Sequence, residues 1–190
     1  WPGRIEPNSH DQRHMISGID LAPTLLDLLD LPPLPAADGR SFKPLLEGDG
    51  QEGRDSVLTC FYRTSAGKDY SMRSLITREA GYIWNPWSDG ETIFRNESQS
   101  GLTMAAMVRR ADQDPAVADR VELFLKRVPE ELYDYQQDPN AMTNLIDSEE
   151  HQALLERLRA QLLEQLQATG DPLAEPFELF LRNRRSESEE

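Results

Sequence analysis

The stretch that decides the fold is ELYDYQQDPNAMTNL, residues 131–145, which leads into a long amphipathic helix. Its first half contains Leu132, Tyr133 and Tyr135, residue types that favour a short strand. The DPN triplet at 138–140 predicts a turn, because each of these residue types favours turn geometry. Leucines recur at helical spacing over 148–169 until Gly170 ends the pattern. A strand, a turn and a helix in this order indicate an α+β fold.

Three further strands are predicted upstream of this stretch. Residues 56–62 are apolar on both alternating sets, and 70–77 and 82–85 follow after short connections. With 132–135 they predict about four strands in one antiparallel sheet, since short connections join antiparallel neighbours. Residues 98–128 carry helical patterns and form a predicted helical insertion before the last strand. The predicted fold class is therefore α+β, with this sheet packed against the long C-terminal helix.

Changes of composition divide the chain into four predicted parts. Residues 1–48 form the first part and include an apolar run at 15–21 that is long enough for a short strand. The polar, glycine-rich segment 49–55 is a predicted linker. Residues 56–170 form the predicted C-terminal subdomain with the sheet. The segment 171–190 ends in charged residues without apolar ones, which predicts a partly disordered tail.

Charge and composition exclude several classes of partner. Among 190 residues, 34 are Asp or Glu and 20 are Lys or Arg, so the formal net charge is −14. A general nucleic-acid or anionic-membrane surface needs clustered basic residues, and we expect neither partner. No apolar run approaches the about 20 residues of a membrane span. The compartment stays unknown. The single cysteine, Cys60, has apolar neighbours and is predicted to be a small buried residue.

The common catalytic and metal-binding motifs are missing from the sequence. There is no nucleophile elbow, phosphate loop or zinc-type cysteine pattern. His10 and His14 stand four residues apart, which would suit a metal on a helix, but Pro7 and the Asn-Ser pair after it favour a surface loop. His151 is expected to be a solvated residue in the first helical turn. We therefore assign no catalytic residue and no metal ligand.

One basic and aromatic cluster stands out where a loop joins the first two strands. Its guanidinium, ammonium and phenol groups could bind an anionic or sugar ligand. The alternative is ordinary surface charge with one tyrosine that faces the sheet. The predicted substrate-rim residues are Arg63, Lys68, Tyr70 and Arg73.

Four phrases in register give the chain a family resemblance. They are WPGRI at 1–5, ISGIDLAPTLLDL at 16–28, DGRSFKPLLEG at 38–48 and the opening stretch at 131–145. Together they resemble the C-terminal third of a type I sulfatase. The phrase YSMRSL at 70–75 is most similar to the heparan N-sulfatase (sulfamidase) branch.

The resemblance implies a parent protein larger than this chain. Residues 1–48 would be the last elements of an alkaline-phosphatase-like α/β domain, and the parent would hydrolyse O- or N-linked sulfate from a sulfated sugar. It would use a formylglycine nucleophile and a calcium ion. Cys60 lacks the Pro-Ser-Arg context of the formylglycine motif. This chain would thus be structural, form part of the substrate rim, need no cofactor of its own and be inactive alone.

The implied partners follow from the same resemblance. They are the N-terminal catalytic portion of the same protein and the sulfated carbohydrate substrate. The leucine-rich helix predicted over 23–31 has an apolar face that suggests a missing partner, and a homo-oligomer is the other partner expected. Two alternatives stay open. The parent is a related phosphodiesterase or phosphonate hydrolase, or the chain is a non-catalytic binding domain.

Overall fold

The computed structural model describes residues 1–65 and 67–188. Six α-helices and four strands are assigned within them, together with short 3₁₀ turns. The helices are α1 (Leu21–Leu28), α2 (Lys43–Leu46), α3 (Leu102–Ala111), α4 (Pro115–Lys126), α5 (Gln152–Ala168) and α6 (Ala174–Ser188). The strands are β1 (Ser56–Arg63), β2 (Asp69–Thr77), β3 (Ala80–Trp84) and β4 (Glu130–Asp134).

The four strands form one antiparallel sheet in the order β1-β2-β3-β4. The β1–β2 connection is closed by the Thr64 N–H, which donates to the Lys68 carbonyl at 2.9 Å. The register of β3 and β4 is marked just beyond their ends, where the Asn85 N–H donates to the Pro129 carbonyl at 2.8 Å. The predicted α+β class and its four-stranded antiparallel sheet are confirmed.

The chain divides into two compact units that differ from the predicted parts. Unit 1 comprises residues 1–58, 75–80 and the described residues from Glu156 onward, and unit 2 comprises 59–74 and 81–155. Most of α5 thus belongs to the same unit as the N-terminal segment. The assignment of residues 1–48 to the end of a larger domain stays a prediction.

The core of unit 1 is built on the two C-terminal helices. Leu158, Leu162 and Leu166 of α5 are each fully buried, and their spacing of four residues places them on one face of the helix. Phe177 of α6 is also fully buried. The prediction of a partly disordered tail over 171–190 is therefore corrected for α6, because Phe177 and Leu181 are buried. Residues 189 and 190 lie outside the described part.

A buried ion pair organises the N-terminal half of unit 1. Asp20 and Arg54 are each 4% exposed and form a salt bridge. The Asp20 carboxylate also accepts the N–H of Ser17 at 3.0 Å and that of Arg40 at 2.9 Å. Burial by itself would raise the pKa of Asp20, but these N–H donors and the Arg54 guanidinium together hold the pKa below its ordinary value.

This network corrects two predictions made from local sequence. The apolar run 15–21 is not a strand, because Gly18–Asp20 form a 3₁₀ turn in which the Asp20 side chain bonds back to Ser17. The segment 49–55 is more than a solvated linker, since its Arg54 is buried. Gly39 shows how closely the backbone is packed here, as a Cβ at this position would lie 2.2 Å from the Ile19 carbonyl oxygen.

Unit 2 has an aromatic core, which lies beside the part of the sheet that belongs to this unit. Tyr70 and Phe94 are buried, and their rings meet edge to face with centroids 4.9 Å apart. Trp87 stacks on Phe94 at 5.6 Å. The predicted insertion over 98–128 forms the packed helix pair α3 and α4.

Candidate functional site

A depression of about 390 Å³ in unit 2 is lined by two arginines, Arg73 of β2 and Arg127 just after α4. Thr59 and Ser74 add hydroxyl groups, which hydrogen-bond to each other. The remaining lining residues are apolar or weakly polar: Cys60, Phe61, Met72, Ile83 and Phe94. Among the described residues that line it, none is acidic, although the formal net charge of the chain is −14.

The structure separates the four predicted rim residues. Tyr70 is 3% exposed, and its hydroxyl donates to the Ile93 carbonyl at 2.8 Å and accepts the Arg95 N–H at 3.2 Å. This placement corrects its predicted rim position, because the phenol is committed to the core. Arg63 is exposed and donates to the Asp69 carboxylate at 2.6 and 3.1 Å. Lys68 is also exposed.

Arg73 is the predicted rim residue that lines the depression. Its side chain is fully buried, donates to the Met72 carbonyl at 2.8 Å, and lies over the Tyr62 ring at 4.4 Å from the centroid. Packing against an aromatic face favours arginine, whose planar group is weakly hydrated. The sequence therefore predicted Arg73 as a site residue. It predicted an exposed charge, however, whereas the side chain is buried.

Arg127 is anchored by a buried carboxylate of β4. Glu131 is fully buried, and the Arg127 Nη2 lies 2.6 and 2.7 Å from its two oxygens. The same carboxylate accepts from Asn85 Nδ2 at 2.8 Å and from the Tyr133 hydroxyl at 2.6 Å. Burial, with the adjacent Glu131 charge, raises the pKa of Tyr133, so its phenol stays protonated as a donor.

Sequence reasoning missed Arg127, although one signal pointed to it. Two consecutive glutamates, Glu130 and Glu131, open the predicted last strand. Because consecutive strand residues face opposite sides, at least one of them should enter a buried face, where a carboxylate needs a cation or several donors. Looking for that cation would have led to the neighbouring Arg127.

The other chemically interesting residues do not assemble into a reactive site. Cys60 is exposed, which corrects its predicted burial. His10 and His14 lie in a loop as expected; His14 Nδ1 is 2.6 Å from an Asp11 oxygen. His151 Nδ1 lies 2.8 Å from the Ser148 hydroxyl.

The described residues do not fit a metal centre. Within 1–65 and 67–188, no group of three or more His, Cys, Asp or Glu side chains could hold a metal ion. The calcium ion that the resemblance implies therefore has no ligand set there. In the same residues, no helix is long and apolar enough to cross a membrane.

Comparisons with known proteins identify relatives of this chain. Residues 1–81 match the family model described as N-sulphoglucosamine sulphohydrolase, C-terminal. An ulvan-active sulfatase from Formosa agariphila is 28% identical over 179 residues, which is 92% of this chain and 33% of that protein. The chain thus spans about a third of the length of this curated relative.

Solved structures share the fold. A crystal structure of a putative sulfatase from Bacteroides thetaiotaomicron aligns with a TM-score of 0.57 and 19% identity, over 88% of this chain and 28% of that one. A phosphonate monoester hydrolase from Silicibacter pomeroyi aligns with a TM-score of 0.50 and 19% identity, over 79% of this chain and 24% of that one. At these identities the likeness establishes the fold alone.

Proposed function

Because this chain corresponds to the C-terminal part of type I sulfatases, we propose that its protein hydrolyses O- or N-linked sulfate from a sulfated sugar. The observation that carries the proposal is the relative matched over 92% of the chain, which is an ulvan-active sulfatase. The family model matched at residues 1–81 is that of a sulphohydrolase of an N-sulfated sugar. A sulfated sugar is thus the substrate class that the relative and the family model both support.

The chain itself supplies scaffold and substrate rim in this proposal. The sequence contains no formylglycine motif. The described residues contain no group of three or more His, Cys, Asp or Glu side chains that could hold a metal ion. The nucleophile and calcium of the proposed reaction therefore belong to another part of the protein. We expect the 190-residue chain alone to be inactive.

An exposed apolar face of α1 supports the proposal that this chain packs against another part of the same protein. Leu21, Leu25 and Leu29, at the helix and its C-terminal end, are 54%, 50% and 65% exposed, although their spacing places them on one side. Contiguous exposed apolar surface marks an interaction site. The proposed occupant is the N-terminal catalytic portion of the same protein, because this chain covers only 33% of the curated relative.

The experiment compares this chain with a version that includes its upstream coding sequence. Both are assayed with an aryl sulfate and with ulvan in calcium-containing buffer, and sulfate release is measured. We expect turnover by the longer protein only. Turnover by the 190-residue chain well above a blank would contradict its proposed inactivity, and no sulfate release by the longer protein would contradict the sulfatase assignment.

The runner-up is a phosphonate or phosphodiester hydrolase, and a phosphonate monoester hydrolase from Silicibacter pomeroyi shares the fold of this chain. The same longer protein, assayed with an aryl phosphonate ester, separates the two. A higher kcat/KM for the phosphonate than for the sulfate would favour this alternative. Binding of ulvan without any hydrolysis would favour a non-catalytic binding domain.

A further inference from the structure

A second depression, of about 660 Å³, lies in unit 1 and is lined by two loops. One loop contributes Arg13 and His14, and the other contributes residues 50–53 and Asp55. Within the second loop, the segment 49–52 is flanked by Gly48 and Gly53, whose φ angles are 92° and 67°. Glycine adopts such angles without strain and serves well as a hinge, so this segment is built to move.

The imidazole of His14 joins the two loops. Its Nδ1 lies 2.6 Å from an Asp11 carboxylate oxygen, and its Nε2 accepts the backbone N–H of Gln51 at 3.4 Å. An ionised carboxylate only accepts hydrogen bonds, so Nδ1 carries a proton. A backbone N–H only donates, so Nε2 presents its lone pair. Both contacts together therefore require the neutral imidazole with its proton on Nδ1.

The charged groups around His14 leave the Gln51 contact as the one that protonation breaks. The Arg13 N–H, the His14 side chain and the His14 N–H together lower the pKa of Asp11 to about 2, so its carboxylate stays ionised in mild acid. The other charged residues that line the depression are Arg13, Glu52 and Asp55. Protonated His14 would keep its bond to Asp11, but its Nε2–H would then face the Gln51 N–H, donor against donor.

Gln51 is also held through its side chain. Its Nε2 donates to the Ser41 carbonyl at 2.9 Å, and its Oε1 accepts from Arg54 Nε at 2.7 Å. These two bonds do not involve His14 and are independent of its charge. Loss of the His14 bond would therefore free the backbone of the segment 49–52 while the side chain stays anchored, which is a local opening without unfolding of the unit.

We propose that His14 is a pH-sensitive latch that closes the segment 49–52 over this depression. The neutral imidazole holds the Gln51 N–H, and protonation at Nε2 turns the acceptor into a donor and releases the segment. Histidine is the side chain type that ordinarily changes its charge between about pH 5 and 8. The latch uses contacts within this chain alone, so it stands or falls separately from the sulfatase assignment.

The test is NMR of the ¹⁵N-labelled 190-residue chain between about pH 8 and pH 5. We expect the Gln51 amide shift to follow the titration of the His14 ring, and its hydrogen-exchange protection factor to fall about fivefold or more in acid. The Leu162 amide, in the buried core of the same unit, should keep its protection. An unchanged Gln51 amide while His14 titrates would refute the latch, and so would a parallel loss at Leu162, which would mean that acid unfolds the whole unit.

A pair of histidine variants identifies the titrating group. His14→Gln cannot change its charge, so the Gln51 amide should no longer respond to pH. His10→Gln is the matched control, because His10 lies in the same exposed loop and its ring nitrogen Nδ1 is 3.4 Å from the Gln12 side chain. This control should keep the full response. A response that persists in His14→Gln or disappears in His10→Gln would contradict the assignment.

A third variant tests the role of the carboxylate without touching the imidazole. Asp11→Ser keeps a short side-chain acceptor for the N–H groups of Arg13 and His14 but removes the negative charge beside Nδ1. Because a nearby negative charge favours the imidazolium, release of the Gln51 amide should then require a lower pH. A purely structural role of Asp11 would not move this midpoint. Release at the same or a higher pH would overturn the proposal.

Discussion

The buried ion pair of unit 1 gives the sharpest prediction of stability. Asp20→Ala leaves the Arg54 guanidinium without its counter-ion and removes the acceptor for the N–H groups of Ser17 and Arg40. Removing one partner of a buried pair costs about 3–5 kcal/mol in the free energy of unfolding. Three remaining acceptors of Arg54, including the Gln51 side chain at 2.7 Å, argue against a higher cost.

The conservative change Asp20→Asn tests the charge separately. It keeps an acceptor oxygen but loses the negative charge, and a hydrogen bond to a charged group contributes about 1.5–3 kcal/mol. Urea unfolding followed by circular dichroism measures both variants, and hydrogen exchange at the Arg40 amide reports the local opening. Asp27→Asn is the matched control, because its carboxylate pairs with Lys43 at a half-exposed position.

The stability that Asp20 contributes to the fold should decrease as the pH falls. Since the folded-state pKa of Asp20 lies below its ordinary value, the carboxylate stabilises the fold above the unfolded pKa of about 3.9, and this stability is lost as pH falls through the folded pKa. Asp20→Asn should therefore reduce the acid sensitivity of the chain. The reasoning is refuted if Asp20→Ala costs no more than Asp27→Asn, or if acid sensitivity is unchanged in Asp20→Asn.

Two further predictions concern packing. Gly39→Ala should lower the melting temperature strongly, because its Cβ would overlap a backbone carbonyl, while Gly50→Ala, which meets nothing within 4 Å, should not; equal melting temperatures would contradict the close approach. Phe177→Ala should destabilise unit 1 by about 3–5 kcal/mol in urea unfolding, since the side chain is fully buried. A change below about 1 kcal/mol would mean that α6 does not pack there.

The elements of the fold were largely predictable because their signals are local. The apolar residues of 56–62 predicted β1, and the regularly spaced leucines predicted α5, without tertiary information. The C-terminal helix α6 was missed, because a charged segment resembles a mobile tail until Phe177 is known to be buried. The strand predicted at 15–21 failed for a related reason, since the run's one acidic residue, Asp20, is the residue that is buried.

The site was less predictable than the fold. The sequence pointed to Arg73 but placed it on an exposed rim with Tyr70, and both are buried. Arg127 at the end of α4 looks like any solvated helix residue. Its role depends on Glu131 and on Asn85, which stands 46 residues before that glutamate in the chain.

By itself, the sequence determined the α+β class, the four-stranded sheet, the positions of most helices and the sulfatase resemblance. Only the tertiary structure decided which charged side chains are buried and with whom they pair. Asp20 meets Arg54 across 34 residues, and Arg127 shares Glu131 with a distant amide. The physical reason is that strand and helix periodicity is written in neighbouring residues, whereas the balance between desolvation and ion pairing depends on distances that only the folded chain sets.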